Sequence, residues 1–243
     1  MIATKTPDAI VLAAGRGERL GNITRSQPKA LLTVDGKSLL ARHMEALAQS
    51  GAQRVVVVVG HFEDLVRRAV GSGSSWGLRV EYLRQSPPPG TGAAILQARH
   101  LIATDPFLVL YSDVLLPHEA ETLRRMTLDP YPKILGARVE DVSEFGRLVT
   151  RQTESGELLC EIIEKSNQSV KGLVNAGAYL LPARILMLLA QQALSPRGEL
   201  ELPESVSTLA KLGTPVRIIE VDRWIDVGTP TSLAEARARP ELW

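Results

Sequence analysis

Short apolar runs rich in β-branched residues alternate, along the first half of the chain, with segments whose apolar positions recur at helical spacing. AIVLAAG, from residue 9, reads as a strand, and LLARHMEALAQSG, from residue 39, as a helix closed by a glycine suited to a left-handed cap. RVVVVVG, from residue 54, carries five consecutive valines, a pattern that suits a strand covered on both faces. FEDLVRRAV and LRVEYL follow as helix and strand. TGAAILQARHLI then reads as a helix, FLVLYSDVLL as a buried strand and HEAETLRRMT as a helix. This βαβα rhythm predicts an α/β fold: a doubly wound, mostly parallel sheet flanked by helices.

Beyond about residue 130 the pattern loosens into strands, at KILGARV, RLVTRQ, LLCEIIEK and NAGAYLL. Helices at ARILMLLAQQAL and PESVSTLAKLG, strand PVRIIEV and a last helix at SLAEARAR complete the chain. No repeat, heptad run or low-complexity linker divides it, and SPPPG is short enough to be a stiff loop at a strand end. One continuous sheet with a smaller strand-rich elaboration is the expectation, in a single domain over 1–243.

Composition narrows the chemistry. With 243 residues, 44% apolar and 23% charged, the chain has enough apolar material for a sizeable core. Lys and Arg number 28 against 27 Asp and Glu, so the basic excess of a protein that coats nucleic acid is missing. Any phosphate chemistry has to come from local placement of cations. Cys160 stands alone, which excludes a disulfide framework and a thiolate metal site. The apolar stretch LVNAGAYLLPARILMLLA is interrupted by Asn175, Pro182 and Arg184 and reads as a strand followed by a helix, not a membrane span. A soluble cytoplasmic protein is expected. His43, His61, His100 and His118 lack ligand spacing and are read as surface or helix residues.

One stretch is unlike the rest. AIVLAAGRGERLGNITRSQPKALLTVDGKSLL sets glycines, four cations and a proline between two apolar runs. A dinucleotide fingerprint needs G-x-G-x-x-G leading into a helix. Gly15 and Gly17 fit and Asp35 lies at a suitable distance, but Leu20 fills the third glycine position. Pro28 also stands where the helix would run, at a cost of about 3 kcal/mol. No G-x-x-x-x-G-K-[ST] is present. A plain solvated turn explains the glycines but not why Arg16, Arg19, Arg25 and Lys29 crowd a strand end, where open α/β sheets bind ligands. A triphosphate explains more: glycine-permitted backbone turns its amides toward phosphate oxygens, and cations offset the charge. Arg19 and Lys29 are the best placed.

LAAGRGERL followed by PKALL resembles the signature of the sugar-1-phosphate nucleotidylyltransferases, and further segments match in the family's order: QSPPPGTGAAI, LYSDVLL, FGRLV, EIIEK, NAGAYLL and WIDVGTP. The resemblance implies a Rossmann-like, GT-A-like fold whose strand-rich part binds sugar, with a nucleotide-binding half over about 1–130 and a sugar-phosphate-binding half over about 131–243. It implies transfer of a nucleotidyl group from a nucleoside triphosphate, UTP or dTTP favoured, to a sugar-1-phosphate, releasing pyrophosphate. By the same resemblance Arg19, Lys29 and Asp113 are catalytic, and Asp113 and Asp226 hold Mg²⁺. Leu12, Ala13, Ala14, Gly15, Gly17, Gln85, Gly90 and Thr91 face the nucleotide. Gly146, Glu164, Lys165 and Asn175 face the sugar phosphate. Trp224 is expected to pack in the core.

One departure from the family bears on the sugar. Where many relatives have Thr-Asp, GELELPESV carries Pro203-Glu204, and proline has neither a hydroxyl nor an N–H to offer. No hexapeptide repeat follows WIDVGTPTSLAEARAR, so the acyltransferase domain of bifunctional relatives is not expected. Cytidylyl or guanylyl transfer to another phosphorylated small molecule is the alternative enzyme, and a nucleotide-sensing module the alternative class. Neither nucleic acid nor membrane is an expected partner, and homo-oligomer formation is left open.

Overall fold

The valine run explains the centre of the molecule. Val55, Val57 and Val59 enter one apolar layer, Val56 and Val58 enter another, and all five are fully buried. A strand manages this only inside a sheet covered on both sides. The computed structural model describes residues 6–87, 89–154, 156–164 and 169–243.

In chain order, β1 (Ala9–Ala13) leads through 3₁₀ segments Glu18–Thr24 and Lys29–Leu31 to a small hairpin, β2 (Thr33–Val34) and β3 (Lys37–Ser38). Helix α1 (Leu39–Gln49), β4 (Arg54–Val59), α2 (Glu63–Val70), β5 (Arg79–Arg84), α3 (Thr91–Ala98) and β6 (Phe107–Tyr111) follow. The chain continues with β7 (Val114–Leu115), α4 (Glu119–Thr127), β8 (Lys133–Val139), β9 (Arg147–Thr153), β10 (Gly156–Ile163) and β11 (Gly172–Leu181). It closes with α5 (Ile185–Gln191), α6 (Leu202–Lys211), β12 (Arg217–Val221), β13 (Ile225–Asp226) and α7 (Pro230–Ala238).

Nine strands form one sheet in the order β5-β4-β1-β6-β11-β8-β12-β10-β9. β5, β4, β1 and β6 are parallel, as are β8 and β12, while β11 runs antiparallel to both β6 and β8. A doubly wound sheet forms as the alternation predicts, mostly parallel only in its first half; the strands after residue 130 extend that same sheet largely through antiparallel pairs and make it mixed. Leu40, Met44 and Leu47 of α1 and Leu123 and Met126 of α4 cover one face. Ile95 of α3, Leu189 of α5 and Val206 and Leu209 of α6 cover the other. Each such side chain contributes about 1.5–3 kcal/mol by leaving water.

A third apolar cluster matters more for the site. Leu20 and Leu32 pack with Leu115, Ile225, Val227 and Leu233, tying the loop after β1 to α7 and to the two short strands β7 and β13. Among the described residues, no helix is long and apolar enough to cross a membrane.

Some details differ from the sequence reading. FLVLYSDVLL is not one strand: it breaks at Ser112 and Asp113, and its tail pairs with β13 in a separate ribbon. Asp35, placed at the distance of a ribose-binding acid, occupies with Gly36 the two-residue turn of the β2–β3 hairpin, at φ 51° and 72°. His43 lies on a helix but has no exposure at all, and its Nδ1 is bonded to the Glu119 carboxylate.

Candidate active site

Open α/β sheets bind ligands outside the carboxyl ends of their strands, where the strand order reverses. Here β1 is followed by β4 on one side and flanked by β6 on the other, so that point lies between β1 and β6. The cation-rich loop leaves β1 there, and Asp113 follows β6.

The loop is held by its own packing. Gly17 is left-handed at φ +66°, and a methyl group added to it would press on Thr24 at 3.0 Å and on the Lys29 side chain at 3.3 Å. The Thr24 hydroxyl donates to the Gly17 carbonyl at 2.9 Å and closes the turn. Pro28 starts a single 3₁₀ turn, so Lys29 sits on its first residue with 8% of its surface exposed.

From that position the Lys29 ammonium donates to Asp113 Oδ2 at 2.6 Å and to Asp226 Oδ1 at 3.2 Å. Asp226 arrives by way of the ribbon, in which it pairs with Val114, and the Val227 N–H donates to the Asp113 carbonyl at 2.8 Å. Arg19 approaches the same carboxylate from outside, Nη2 to Oδ2 at 3.6 Å, with half its side chain in solvent. An exposed pair at that distance adds little to stability. Arg16 and Arg25 instead line, with Glu18, His61 and Phe62, an open cavity of about 330 Å³.

Electrostatics in this cluster are uneven. Burial alone would lower the Lys29 pKa, but the charges of Asp113 and Asp226 outweigh it and hold the ammonium above its usual value. Burial and the neighbouring Asp113 push the Asp226 carboxyl above the usual carboxylate range, with Lys29 and Arg19 opposing.

At the next strand end, Gln85 Nε2 donates to the Gly90 carbonyl at 2.9 Å, which leaves its own carbonyl and one amide hydrogen for a ligand. Gly90 has φ +114°, and a methyl group on it would lie 2.2 Å from the Leu200 carbonyl. The segment before α6 is in fact laced to this turn. Leu200 N–H donates to the Pro89 carbonyl, the Gly92 N–H donates to the Leu200 carbonyl, and Leu202 N–H donates to the Thr91 hydroxyl at 3.0 Å. Leu12, Ala13 and Ala14 run along β1 and out of it, and the Leu12 carbonyl accepts from Ser112 N–H at 3.3 Å.

The residues of the strand-rich half also converge. Gly146 lies against Glu164, whose Oε1 would be 2.6 Å from a methyl group at that position. The Gly146 carbonyl accepts from Asn175 N–H at 2.8 Å. Asn175 does not open its strand; it sits within β11, just before a register shift that reaches Tyr179. Lys165 lies outside the described residues. Trp224 stacks edge-on with Phe145, centroids 5.0 Å apart, and its Nε1 donates to the Ala176 carbonyl at 3.1 Å.

Sequence reasoning missed Tyr111 and Tyr179, whose hydroxyls meet at 3.2 Å beside the Asn175 amide. Both fall at ordinary core positions of apolar strands, so their pattern marks packing and nothing else. It missed the Leu200–Leu202 latch as well, because backbone hydrogen bonds between loops leave no side-chain signature.

The fold and this arrangement define a nucleotide-handling α/β protein, and the chain matches the nucleotidyl transferase family over residues 8–241; it belongs to that family. Among similar proteins is a bifunctional sugar-1-phosphate nucleotidylyltransferase/acetyltransferase of Sulfurisphaera tokodaii, 32% identical over 93% of this chain and 54% of its own length. A glucose-1-phosphate thymidylyltransferase of Streptomyces griseus is 33% identical over 93% of this chain and 64% of its own. The chain thus spans between half and two thirds of these two relatives. A UTP–glucose-1-phosphate uridylyltransferase of Haloferax volcanii is 29% identical and matches over 95% of both chains. Among solved structures, a putative glucose-1-phosphate thymidylyltransferase from Bacillus anthracis, crystallised with sucrose, superposes with TM-score 0.83 at 26% identity, over 95% of this chain and 94% of the other.

Proposed function

We propose that this protein transfers a nucleotidyl group from a nucleoside triphosphate, with UTP or dTTP favoured, to a sugar-1-phosphate. The observation that carries this reading is the Lys29 ammonium held between Asp113 and Asp226 at the strand-order reversal. Relatives named for thymidylyl and uridylyl transfer support it, and so does the polar carbonyl that Gln85 keeps at the end of β5.

The reaction is an in-line displacement: an oxygen of the sugar-1-phosphate forms a bond to the α-phosphorus as the bond to pyrophosphate breaks. Two anions must meet, so positioning and charge neutralisation supply the catalysis and no covalent nucleophile is needed. Lys29, held as a cation, offsets the charge growing on the α-phosphate oxygens. Arg19, half in solvent, neutralises the pyrophosphate end. Backbone from Leu12 to Gly17 cradles the phosphates, the turn Gly90–Thr91 seats the base and ribose beside Gln85, and Gly146, Glu164, Lys165 and Asn175 receive the sugar phosphate. In this reading residues 1–130 form the nucleotide-binding half and 131–243 the sugar-phosphate half of a single domain.

Mg²⁺ fits the donor set. Asp113 and Asp226 would hold the ion through their hard carboxylate oxygens, the donor type that Mg²⁺ favours. Among the described residues no third acid, histidine or cysteine joins them to form a larger cluster. When bound, Mg²⁺ would supply positive charge that helps neutralise the triphosphate.

The test is a matrix of nucleoside triphosphates against sugar-1-phosphates and alditol and choline phosphates, read by pyrophosphate release. The reading expects release only when a triphosphate and a sugar-1-phosphate are both present. Release with an alditol or choline phosphate alone would replace it by the alternative transferase, and nucleotide binding without release by the sensing module.

A further inference from the structure

Between the turn assigned to the nucleotide and the strand assigned to the sugar, four polar side chains form a line whose interior members touch neither substrate in the reading above. One backbone group fixes its sugar-side end. Gly177 N–H donates to Asn175 Oδ1 at 3.0 Å, so the Asn175 amide nitrogen must face the other way, and it donates to the Tyr179 hydroxyl at 2.5 Å. The Tyr179 hydroxyl is in turn hydrogen-bonded to that of Tyr111 at 3.2 Å. The Thr91 side chain lies next to the Tyr111 hydroxyl, where its interaction favours the phenolate, as a donor's does. Thr91 already accepts from the Leu202 N–H at 3.0 Å. The Thr91 hydroxyl is thus held from two sides, by Tyr111 and by the Leu202 N–H.

Neither tyrosine acts as an acid here. Burial pushes the Tyr111 phenol up to about 12 and the Tyr179 phenol well above its ordinary value, so both keep their protons at any working pH. Tyr179 has no exposed surface, and a phenylalanine at either position would fill the same space without demanding a partner. The two hydroxyls therefore act through what they hold at the ends of the line.

We propose that Tyr111 and Tyr179 are positioning residues, a hydroxyl relay that fixes the Asn175 amide on the sugar side and the Thr91 hydroxyl on the nucleotide side in one register. The relay rests on the functional reading above and deepens it. It accounts for the register shift in β11 between Asn175 and Tyr179, which brings these two side chains together across four residues, where regular pleating would space them along the strand.

Initial-rate kinetics with both substrates varied, on the whole chain, test the relay. Tyr179→Phe leaves the Asn175 amide without its acceptor; the KM for the sugar-1-phosphate is expected to rise about tenfold, with kcat within about threefold and the triphosphate KM nearly unchanged. Asn175→Ala should give the same pattern, and the double variant should be no worse than either single one. Tyr111→Phe, which cuts the line in the middle, should raise both KM values. A purely structural pair would instead lower the thermal midpoint and the active fraction while leaving both KM values at those of the parent, and that result overturns the relay. A parent enzyme that forms no product with any pair of substrates refutes the functional reading itself, and the relay with it.

Discussion

Asp226 stands beside Asp113 because a ribbon of two residues on each side pairs Asp226 with Val114 and Ile225 with Leu115, and both carboxylates accept from the single ammonium of Lys29. The first turn of the molecule and its last strand meet at that nitrogen. Lys29→Ala should reduce turnover by about 10²–10³, the usual cost of removing a donor that stabilises transition-state charge. Circular dichroism should show the fold intact, since apolar clusters on either side hold the loop. Unchanged turnover would remove Lys29 from the mechanism.

The acids themselves should be read through the metal. Asp113→Asn and Asp226→Asn each remove a charged oxygen donor from the same position, and each should raise the Mg²⁺ concentration needed for half-maximal rate. Superimposable Mg²⁺ titrations for both variants and the parent would show that the pair serves only to hold Lys29.

Gly90 gives a prediction about stability that does not depend on the reaction. An alanine there has to adopt φ +114° and place its methyl group 2.2 Å from the Leu200 carbonyl. Gly90→Ala should therefore cost about 2–3 kcal/mol, seen as a lower denaturation midpoint at an unchanged slope. It should also loosen the latch from Leu200 to Leu202. Parent-like stability would mean that the turn and the latch separate readily.

The buried pair of His43 and Glu119 predicts a pH dependence. Burial disfavours the imidazolium, but the Glu119 carboxylate outweighs it and raises the His43 pKa above its ordinary 6.5. The folded chain thus binds that proton more tightly than the unfolded one. The resulting stability is complete below the unfolded value and is lost as pH rises through the folded one. Thermal melts of the parent and of His43→Gln should differ most below about pH 6.5 and converge as the pH is raised through the alkaline range. A constant difference across that range would show that the histidine contributes by packing alone.

How much of this was legible in the sequence depends on the range of the interaction. The five-valine run and the strand–helix alternation marked the sheet because burial on two faces demands apolar residues at successive positions. The loop from Gly15 to Lys29 stood out because cations at a strand end have no packing reason to be there. Asp113 and Asp226 were named only through family resemblance; their meeting depends on two-residue strands, too short to leave any periodicity. The sequence marks His43 as a surface or helix residue and no more, since a buried ion pair with Glu119 needs α1 and α4 to be packed before it can be seen. Tyr111 and Tyr179 were hidden for the opposite reason: they look like core.

The account comes down to one bond exchange, and ³¹P NMR of a single reaction mixture observes it directly. With UTP or dTTP, a sugar-1-phosphate and Mg²⁺, the account predicts that the sugar phosphate monoester signal disappears as the paired signals of a nucleotide sugar and an equal amount of pyrophosphate grow in. Triphosphate cleaved while the monoester persists, or a spectrum that never changes across the substrate panel, would contradict it.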